Sequence, residues 1–418
     1  MLARDPRGIV EGARVTLRIM KGPVPITWVA KHVDVQSGRG FSDVQDRGPF
    51  RAWRHERRFE DTTAGAVLDE EIAATLPFGP LGALAAPAVR RSLSAMLRWR
   101  HAVLAHDLEQ RMTTPLTPQR IAITGASGFI ASVLIPMLTT EGHTVVPISR
   151  GAGTDGIQWD PERGTLDPAA LEGIDAIIHL AGAGIADRRW TSARKRELRA
   201  SRTKPTALLA RTIASLREPP RVLISMSAVG IYGDAGDSVL TEDTPSGTDF
   251  LSELGREWEA AADPARAAGI RVVHPRMGIV LSPGGGALSK LLLPFRLGVG
   301  GRLGSGRQWM SWIAIDDALA GLRHCLADER LSGPVNLTAP QPVTNREFTK
   351  ALAQVLRRPS LFPVPAFVLQ AMFGDMAEAT LLASQRAVPA RLESVGFQFR
   401  YPDIRSALRH VLPTIDTP

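Results

Sequence analysis

A single cysteine, Cys325, excludes an intrachain disulfide framework and a cysteine-rich zinc site, and it reads as a buried, inert thiol. Histidine offers no metal site either, because His101 and His106 stand five apart on a helical stretch and share no face. No metal is implied. No run approaches the roughly 18 uninterrupted apolar residues of a membrane span, and the opening Met-Leu-Ala-Arg-Asp-Pro is too charged for a secretory signal. A soluble, cytoplasmic protein with no membrane partner is expected. Acidic residues fall short of basic ones, 42 against 50, yet the excess of +8 is not gathered into an arm. Residues 1–118 hold 17 Lys+Arg and 13 Asp+Glu, which leaves +4 on each side of that point. Charge spread in this way serves solubility, and nucleic acid is set aside as a partner.

What is present is ordinary globular composition, 44% hydrophobic and 22% charged, in 418 residues, more than one core usually organises. Met112-Thr-Thr-Pro-Leu-Thr-Pro-Gln119 reads as a linker. Before it, Arg14–Met20 and Ile26–Val35 alternate apolar with polar residues around Gly22-Pro23, as in an antiparallel hairpin. Phe41–Val44, Trp53–Glu60 and Val67–Leu76 continue the series, and Ala86–Arg111 has the period of one long amphipathic helix. After it, short apolar strands (Ile121–Thr124, Val145–Ser149, Ala176–Leu180, Val222–Met226, Val272–His274) alternate with helices (Ile130–Thr140, Ala193–Ser215, Glu253–Ala268). That alternation predicts an α/β fold, a parallel sheet wound on both faces.

Ile121-Ala-Ile-Thr-Gly-Ala-Ser-Gly-Phe-Ile-Ala131 puts a glycine-rich turn directly between a buried strand and a helix. Gly125 permits the tight turn and Gly128 the close approach of a pyrophosphate, which would sit on free N–H groups at the positive end of the helix. Here the chain resembles the short-chain dehydrogenase/reductase superfamily, in its extended, sugar-nucleotide-epimerase-like branch. His179-Leu-Ala-Gly182, Ala186-Asp-Arg-Arg-Trp-Thr191, Ser201-Arg202, Ser227-Ala228, Gly230-Ile-Tyr-Gly-Asp234, Pro294-Phe-Arg-Leu-Gly298 and Trp312-Ile-Ala-Ile-Asp-Asp317 extend the resemblance to the "epimerase family protein" group, over about residues 120–411. It implies a doubly wound Rossmann-type domain over 120–361 and a small C-terminal lobe over 362–418. It also implies a cofactor held by Gly125, Ser127, Gly128, Phe129, Ile130, Ser149, Arg150, Leu180, Ala181 and Gly182. Residues 13–110 resemble the helix-grip fold of the START and polyketide-cyclase type, through Phe41-Ser-Asp-Val-Gln45, Gly48-Pro-Phe50, Trp53-Arg-His55 and Leu76-Pro-Phe-Gly79. The strand and two short helices with which such a domain opens would precede Gly12, so the 1–111 domain is expected to be incomplete.

An acidic residue at the end of the second strand would hold a ribose 2′-hydroxyl, but Val145–Ser149 ends in Arg150, which suits a 2′-phosphate. NADP is therefore the expected cofactor. The superfamily's usual chemistry needs a tyrosine with a lysine four residues later, and the chain lacks that pair. Its tyrosines are Tyr232 and Tyr401, each followed four residues on by Gly236 and Arg405, and the expected place reads Phe250-Leu-Ser-Glu-Leu-Gly255. Ser227 and Tyr232 remain as catalytic candidates, the latter if a cation such as Arg202 lowers its pKa. Arg202, Arg276 and Arg307 are candidates for an anionic substrate, with Asp187, Arg188 and Trp190 facing the same cleft or capping a helix. Two functions stay open: an NADP(H)-dependent epimerase or oxidoreductase acting on a small molecule, nucleotide-linked or free, or a catalytically weak NADP(H)-binding regulator or scaffold with a ligand-binding front domain. The oligomeric state is not legible.

Overall fold

The computed structural model describes residues 3–5, 7–21, 24–63, 65–151 and 156–412. The chain divides into two compact units, Met1–Met96 and Leu97–Pro418.

The first unit is a six-stranded antiparallel sheet in chain order: β1 (Ala3–Arg4), β2 (Arg14–Lys21), β3 (Val24–Gln36), β4 (Gly40–Arg47), β5 (Ala52–Thr62) and β6 (Gly65–Thr75). Alternation along a strand sends successive side chains to opposite faces, so Trp53 and His55 are buried while Ala52 and Arg54 are exposed. Trp28, Phe50 and Trp53 form an aromatic cluster with centroids 4.8–5.7 Å apart. The Gly22-Pro23 turn lies outside the described residues. The edge of the sheet beyond β2 carries the short strand β1. The long helix α1 runs from Gly79 to Thr113 rather than from Ala86, and continues through Pro87, where one backbone hydrogen bond is lost.

The second unit opens with β7 (Arg120–Thr124), α2 (Phe129–Thr140), β8 (Thr144–Ser149), β9 (Ile157–Asp160), β10 (Thr165–Leu166), β11 (Ala176–His179) and α3 (Ser192–Ala214). Then come β12 (Val222–Ser225), β13 (Ser227–Ala228), β14 (Val239–Leu240), α4 (Phe250–Ala260), α5 (Asp263–Ala267) and β15 (Arg271–Met277). Next follow β16 (Ile279–Leu281), α6 (Gly286–Arg296), β17 (Trp309–Met310), β18 (Trp312–Ala314), α7 (Ile315–Ala327) and β19 (Gly333–Leu337). The end of the chain supplies β20 (Val343–Thr344), α8 (Asn345–Leu356), α9 (Ala366–Phe373), β21 (Arg386–Ala387), α10 (Ala390–Ser394) and α11 (Ile404–Val411).

Its main sheet has the order β10-β9-β8-β7-β11-β12-β15-β13, with β19 also on β15, and every pair is parallel except β9–β10. Both faces are covered, which is why the strands read as continuous apolar runs. Ile121, Ile123, Ile178, Ile224 and Val273 enter one core, and their neighbours Ala122, Ile177, Leu223 and Val272 enter the other. Each large side chain so buried contributes about 1.5–3 kcal/mol. The chain moves outward from β7 to β8 and β9 and then returns to β11, so the strand order reverses between β7 and β11. A crevice opens at the carboxyl ends of strands at such a reversal, and there the site lies. The expected helix over Glu253–Ala268 is two helices, because Pro264 has no N–H for an interior turn and stands instead in the first turn of α5. Among the described residues no helix is long and apolar enough to cross a membrane.

Candidate functional site

A cavity of about 1000 Å³ occupies the reversal point. Of the ten residues expected to hold a cofactor, Gly125, Ser127, Gly128, Ser149, Arg150, Leu180, Ala181 and Gly182 line it. Phe129 and Ile130 do not: Phe129 packs where a Cβ on Gly285 would fall, and Ile130 lies against the hydrophobic core. Gly125 has φ 69, and a Cβ there would stand 2.9 Å from the Leu180 carbonyl carbon, so the turn accepts only glycine without strain. No side chain caps α2, and its first turn has no acidic residue. A helix N-terminus of this kind presents N–H donors and a positive dipole end to an anion.

The floor of the cavity is fixed from below by His179. The Thr124 hydroxyl donates to His179 Nδ1 (2.6 Å) and accepts from the Leu180 and Ala181 amides (3.1 and 3.2 Å). Thr206 donates to the Arg202 carbonyl (2.7 Å), which leaves it to accept from His179 Nε2 (2.9 Å). Burial pushes the His179 pKa down to about 4, so the ring is the neutral Nε2–H form at neutral pH. Arg150 is exposed at the end of β8, and Lys204 of α3 lines the same cavity, with Nζ 2.6 Å from Glu162. Sequence reasoning missed Lys204, which reaches the cavity because Glu197, Ala200, Ser201, Lys204 and Pro205 share one face of α3.

A second, apolar pocket of about 210 Å³ is lined in part by Arg202, which hydrogen-bonds the carbonyl of Ala183 on the wall of the first. Arg202 is buried, donates to the Leu198 and Ala183 carbonyls (3.2 and 3.0 Å), and lies over the Trp258 ring at 5.0 Å. Burial, then Arg194, lowers its pKa to about 10. Leu251 and Gly255 of α4 face this pocket four residues apart, the spacing of the absent tyrosine and lysine. A Cβ on Gly255 would fall 2.9 Å from Ile231 Cβ, so no lysine fits there.

Ser227, Tyr232 and Arg276 are brought together, in a buried network behind the pocket. Ser227 Oγ donates to Glu259 Oε1 (2.7 Å), and Glu259 accepts from Arg276 Nε (2.9 Å) and Nη2 (3.0 Å). Arg276 Nη1 donates to the Tyr232 hydroxyl (3.0 Å), which donates to Asn336 Oδ1 (2.7 Å). The cation at Tyr232 is thus Arg276, not Arg202 as expected, and the phenol pKa is raised, not lowered. Burial outweighs the guanidinium and the Asn336 hydrogen bond. Burial also raises the Glu259 pKa, but its hydrogen bonds to Arg276 and Ser227 and the charges of Arg276 and His274 bring it below the usual carboxylate value. Glu259 and Asn336 escaped sequence reasoning, since 32 residues separate Glu259 from Ser227 and 104 separate Asn336 from Tyr232. Arg307 lies exposed in the loop before β17, and its amide donates to Ser305 Oγ (3.1 Å). Trp190 is buried, with Nε1 donating to Ile185 O (2.9 Å), and Thr191 caps α3. Asp187 Oδ2 is 4.0 Å from Arg194 Nη2. Among the described residues no group of His, Cys, Asp and Glu is arranged to hold a metal.

The sequence model of the NAD dependent epimerase/dehydratase family matches residues 121–337. Two domains of unknown function match at residues 14–108 and 364–411. An epimerase family protein of Mycobacterium bovis is 46% identical over 290 residues, 69% of this chain and 96% of that protein. The nucleoside-diphosphate sugar epimerase of Corynebacterium glutamicum, a crystal structure, superposes with a TM-score of 0.78 at 34% identity, covering 96% of this chain and 80% of that one. A human epimerase family protein, solved with NADPH, gives a TM-score of 0.65 at 36% identity, covering 70% of this chain and 99% of that one. With the glycine turn at the strand-order reversal, these likenesses establish that the chain belongs to the NAD dependent epimerase/dehydratase family.

Proposed function

We propose that the Leu97–Pro418 unit binds NADP(H) at the strand-order reversal and carries out hydride transfer on a small molecule, as an epimerase or oxidoreductase. The observation that carries this is Arg150, which ends β8 where a ribose-binding carboxylate would stand and lines the same cavity as the Gly125 turn. The likeness to the human relative solved with NADPH supports the same choice. In this reading the uncapped start of α2 and the Gly125–Gly128 turn hold the diphosphate, and Arg150 with Lys204 holds the 2′-phosphate. A nicotinamide bound there supplies or accepts a hydride. The apolar pocket beyond Arg202 takes the substrate. With Leu251 and Gly255 in place of a phenol and an ammonium, the proton that accompanies the hydride comes from solvent or substrate rather than from α4. Ser227, Glu259, Arg276 and Tyr232 position the pocket wall. Family membership favours this enzymatic reading over a regulator or scaffold.

For the first unit, we keep the helix-grip reading as a proposal, supported by an antiparallel sheet followed by a long helix and by the Trp28, Phe50 and Trp53 cluster. An aromatic or lipid-like ligand suits those rings. The cofactor reading is tested by Arg150→Asp. A charge-assisted hydrogen bond contributes about 1.5–3 kcal/mol, so NADPH affinity should fall about 10–100-fold by fluorescence titration while NADH affinity holds. An unchanged NADPH affinity overturns the assignment.

A further inference from the structure

The end of α6 is apolar on two sides. Leu288, Leu292 and Phe295 enter the core, while Leu293 and Leu297 are 66% and 68% exposed and add little to it. The segment that follows runs beside residues 359–364 of the C-terminal lobe. Arg358 Nε donates to the Arg296 carbonyl (3.0 Å), the Val364 amide to Arg302 O (2.8 Å) and the Gly304 amide to Val364 O (2.8 Å). A Cβ added to Gly298 would stand 3.5 Å from Pro359 Cγ. These contacts set Leu361 and Phe362, 76% and 60% exposed, beside Leu297 and Val299. Pro359, Pro363 and Pro365 fix their own φ and stiffen the ridge. Single exposed apolar side chains are ordinary, whereas a contiguous group marks an interaction surface.

The charge along this ridge has one sign. Residues 286–315 and 348–374 contain no Asp or Glu, and Lys290, Arg296, Arg357 and Arg358 among them are exposed. Among the described residues Lys290, Arg296 and Arg358 make no ion pair with a carboxylate; Lys290 Nζ and Arg358 Nε donate to the carbonyls of Ala186 and Arg296. A second copy docked across a twofold axis would set these cations against themselves. A folded protein partner would need a hollow shaped to each projecting side chain. A fluid bilayer interface takes apolar projections without preformed shape, and an anionic one also attracts the cations. We propose that this face of the Leu97–Pro418 unit lies on an anionic phospholipid bilayer, with Leu297 and Phe362 in the headgroup–acyl boundary and Arg296 and Arg358 on lipid phosphates. Contact of this kind needs no membrane-spanning helix. It does not depend on the cofactor reading.

The test is flotation of the full chain with vesicles of phosphatidylcholine alone, and of phosphatidylcholine and phosphatidylglycerol in equal amounts. Each basic residue near an anionic leaflet contributes about fivefold in partition, so the mixed vesicles should bind the chain at least about 100-fold more tightly. High ionic strength should remove that preference. Arg296→Gln with Arg358→Gln should weaken binding about 25-fold, and Leu297→Ser with Phe362→Ser at least about tenfold. Both double variants change exposed side chains and should keep the unfolding temperature of the unmutated chain. No binding to the mixed vesicles, equal binding to both kinds, or binding that either double variant leaves intact would overturn the proposal. Sedimentation velocity without vesicles tests the second copy. Self-association abolished by Leu297→Ser with Phe362→Ser would assign the face to a dimer and overturn the bilayer. Binding to soluble polyglutamate as tight as to the mixed vesicles would point to an acidic protein and overturn it equally.

Discussion

Gly255 lies so close beneath Ile231 that a Cβ added to it would come within 2.9 Å of the Ile231 Cβ. The lysine on which the superfamily's chemistry usually depends is therefore absent for a steric reason as well as a sequence one. Packing of α4 against the segment after β13 has taken the space its side chain would need.

That contact sets the first prediction. Gly255→Ala should lose about 1–3 kcal/mol of unfolding free energy, the usual penalty for overpacking, as read from urea denaturation. A neutral effect would mean that α4 moves freely relative to Ile231.

Tyr232→Phe removes one hydroxyl from between Arg276 and Asn336. Leaving those two buried groups without it should cost about 1–3 kcal/mol, while NADPH affinity stays within about twofold. Turnover distinguishes the roles: loss of a general acid or base lowers the rate about 10²–10⁴-fold, whereas a positioning tyrosine gives less than about tenfold.

Gly125→Ala should fold yet lose at least about tenfold in NADPH affinity, because its positive φ is strained for any other residue and the added Cβ meets the Leu180 carbonyl carbon. Titration of the folded variant by cofactor fluorescence checks it, and wild-type affinity would contradict the role of the turn.

Acid should weaken the fold through His179. Its folded pKa of about 4 lies below its unfolded value near 6.5, so between them the unfolded chain binds the extra proton. The contribution is fully present above pH 6.5 and is lost towards pH 4, on the order of 3 kcal/mol. Asp107 and Asp317, both raised to about 6 mainly by burial, act in the opposite sense and cost stability as pH rises through that value. Comparison with His179→Asn cancels their effect. The stability gap between wild type and variant should narrow as pH falls from 7 to 4, and a constant gap would refute the neutral, buried ring.

The parts legible in the sequence are those whose signal is local. Residues 121–123 and 176–178 are apolar throughout because both sheet faces are covered, and the glycines after Thr124 stand in the tight turn that lines the cavity. Helix ends were less legible. The run over Glu253–Ala268 keeps helical composition across Ala261 and Ala262, and the chain breaks there because of Pro264. The polar network was not legible at all, since Glu259 meets Ser227 and Arg276 through the packing of α4 on the sheet, with no spacing to announce it.

The central claim, an NADP(H) site built on Arg150, is tested most directly by titrating the unmutated protein with NADPH and NADH under the same conditions. The dissociation constant for NADPH should be at least about tenfold lower, the worth of one charge-assisted phosphate contact. Equal constants, or tighter binding of NADH, would contradict it.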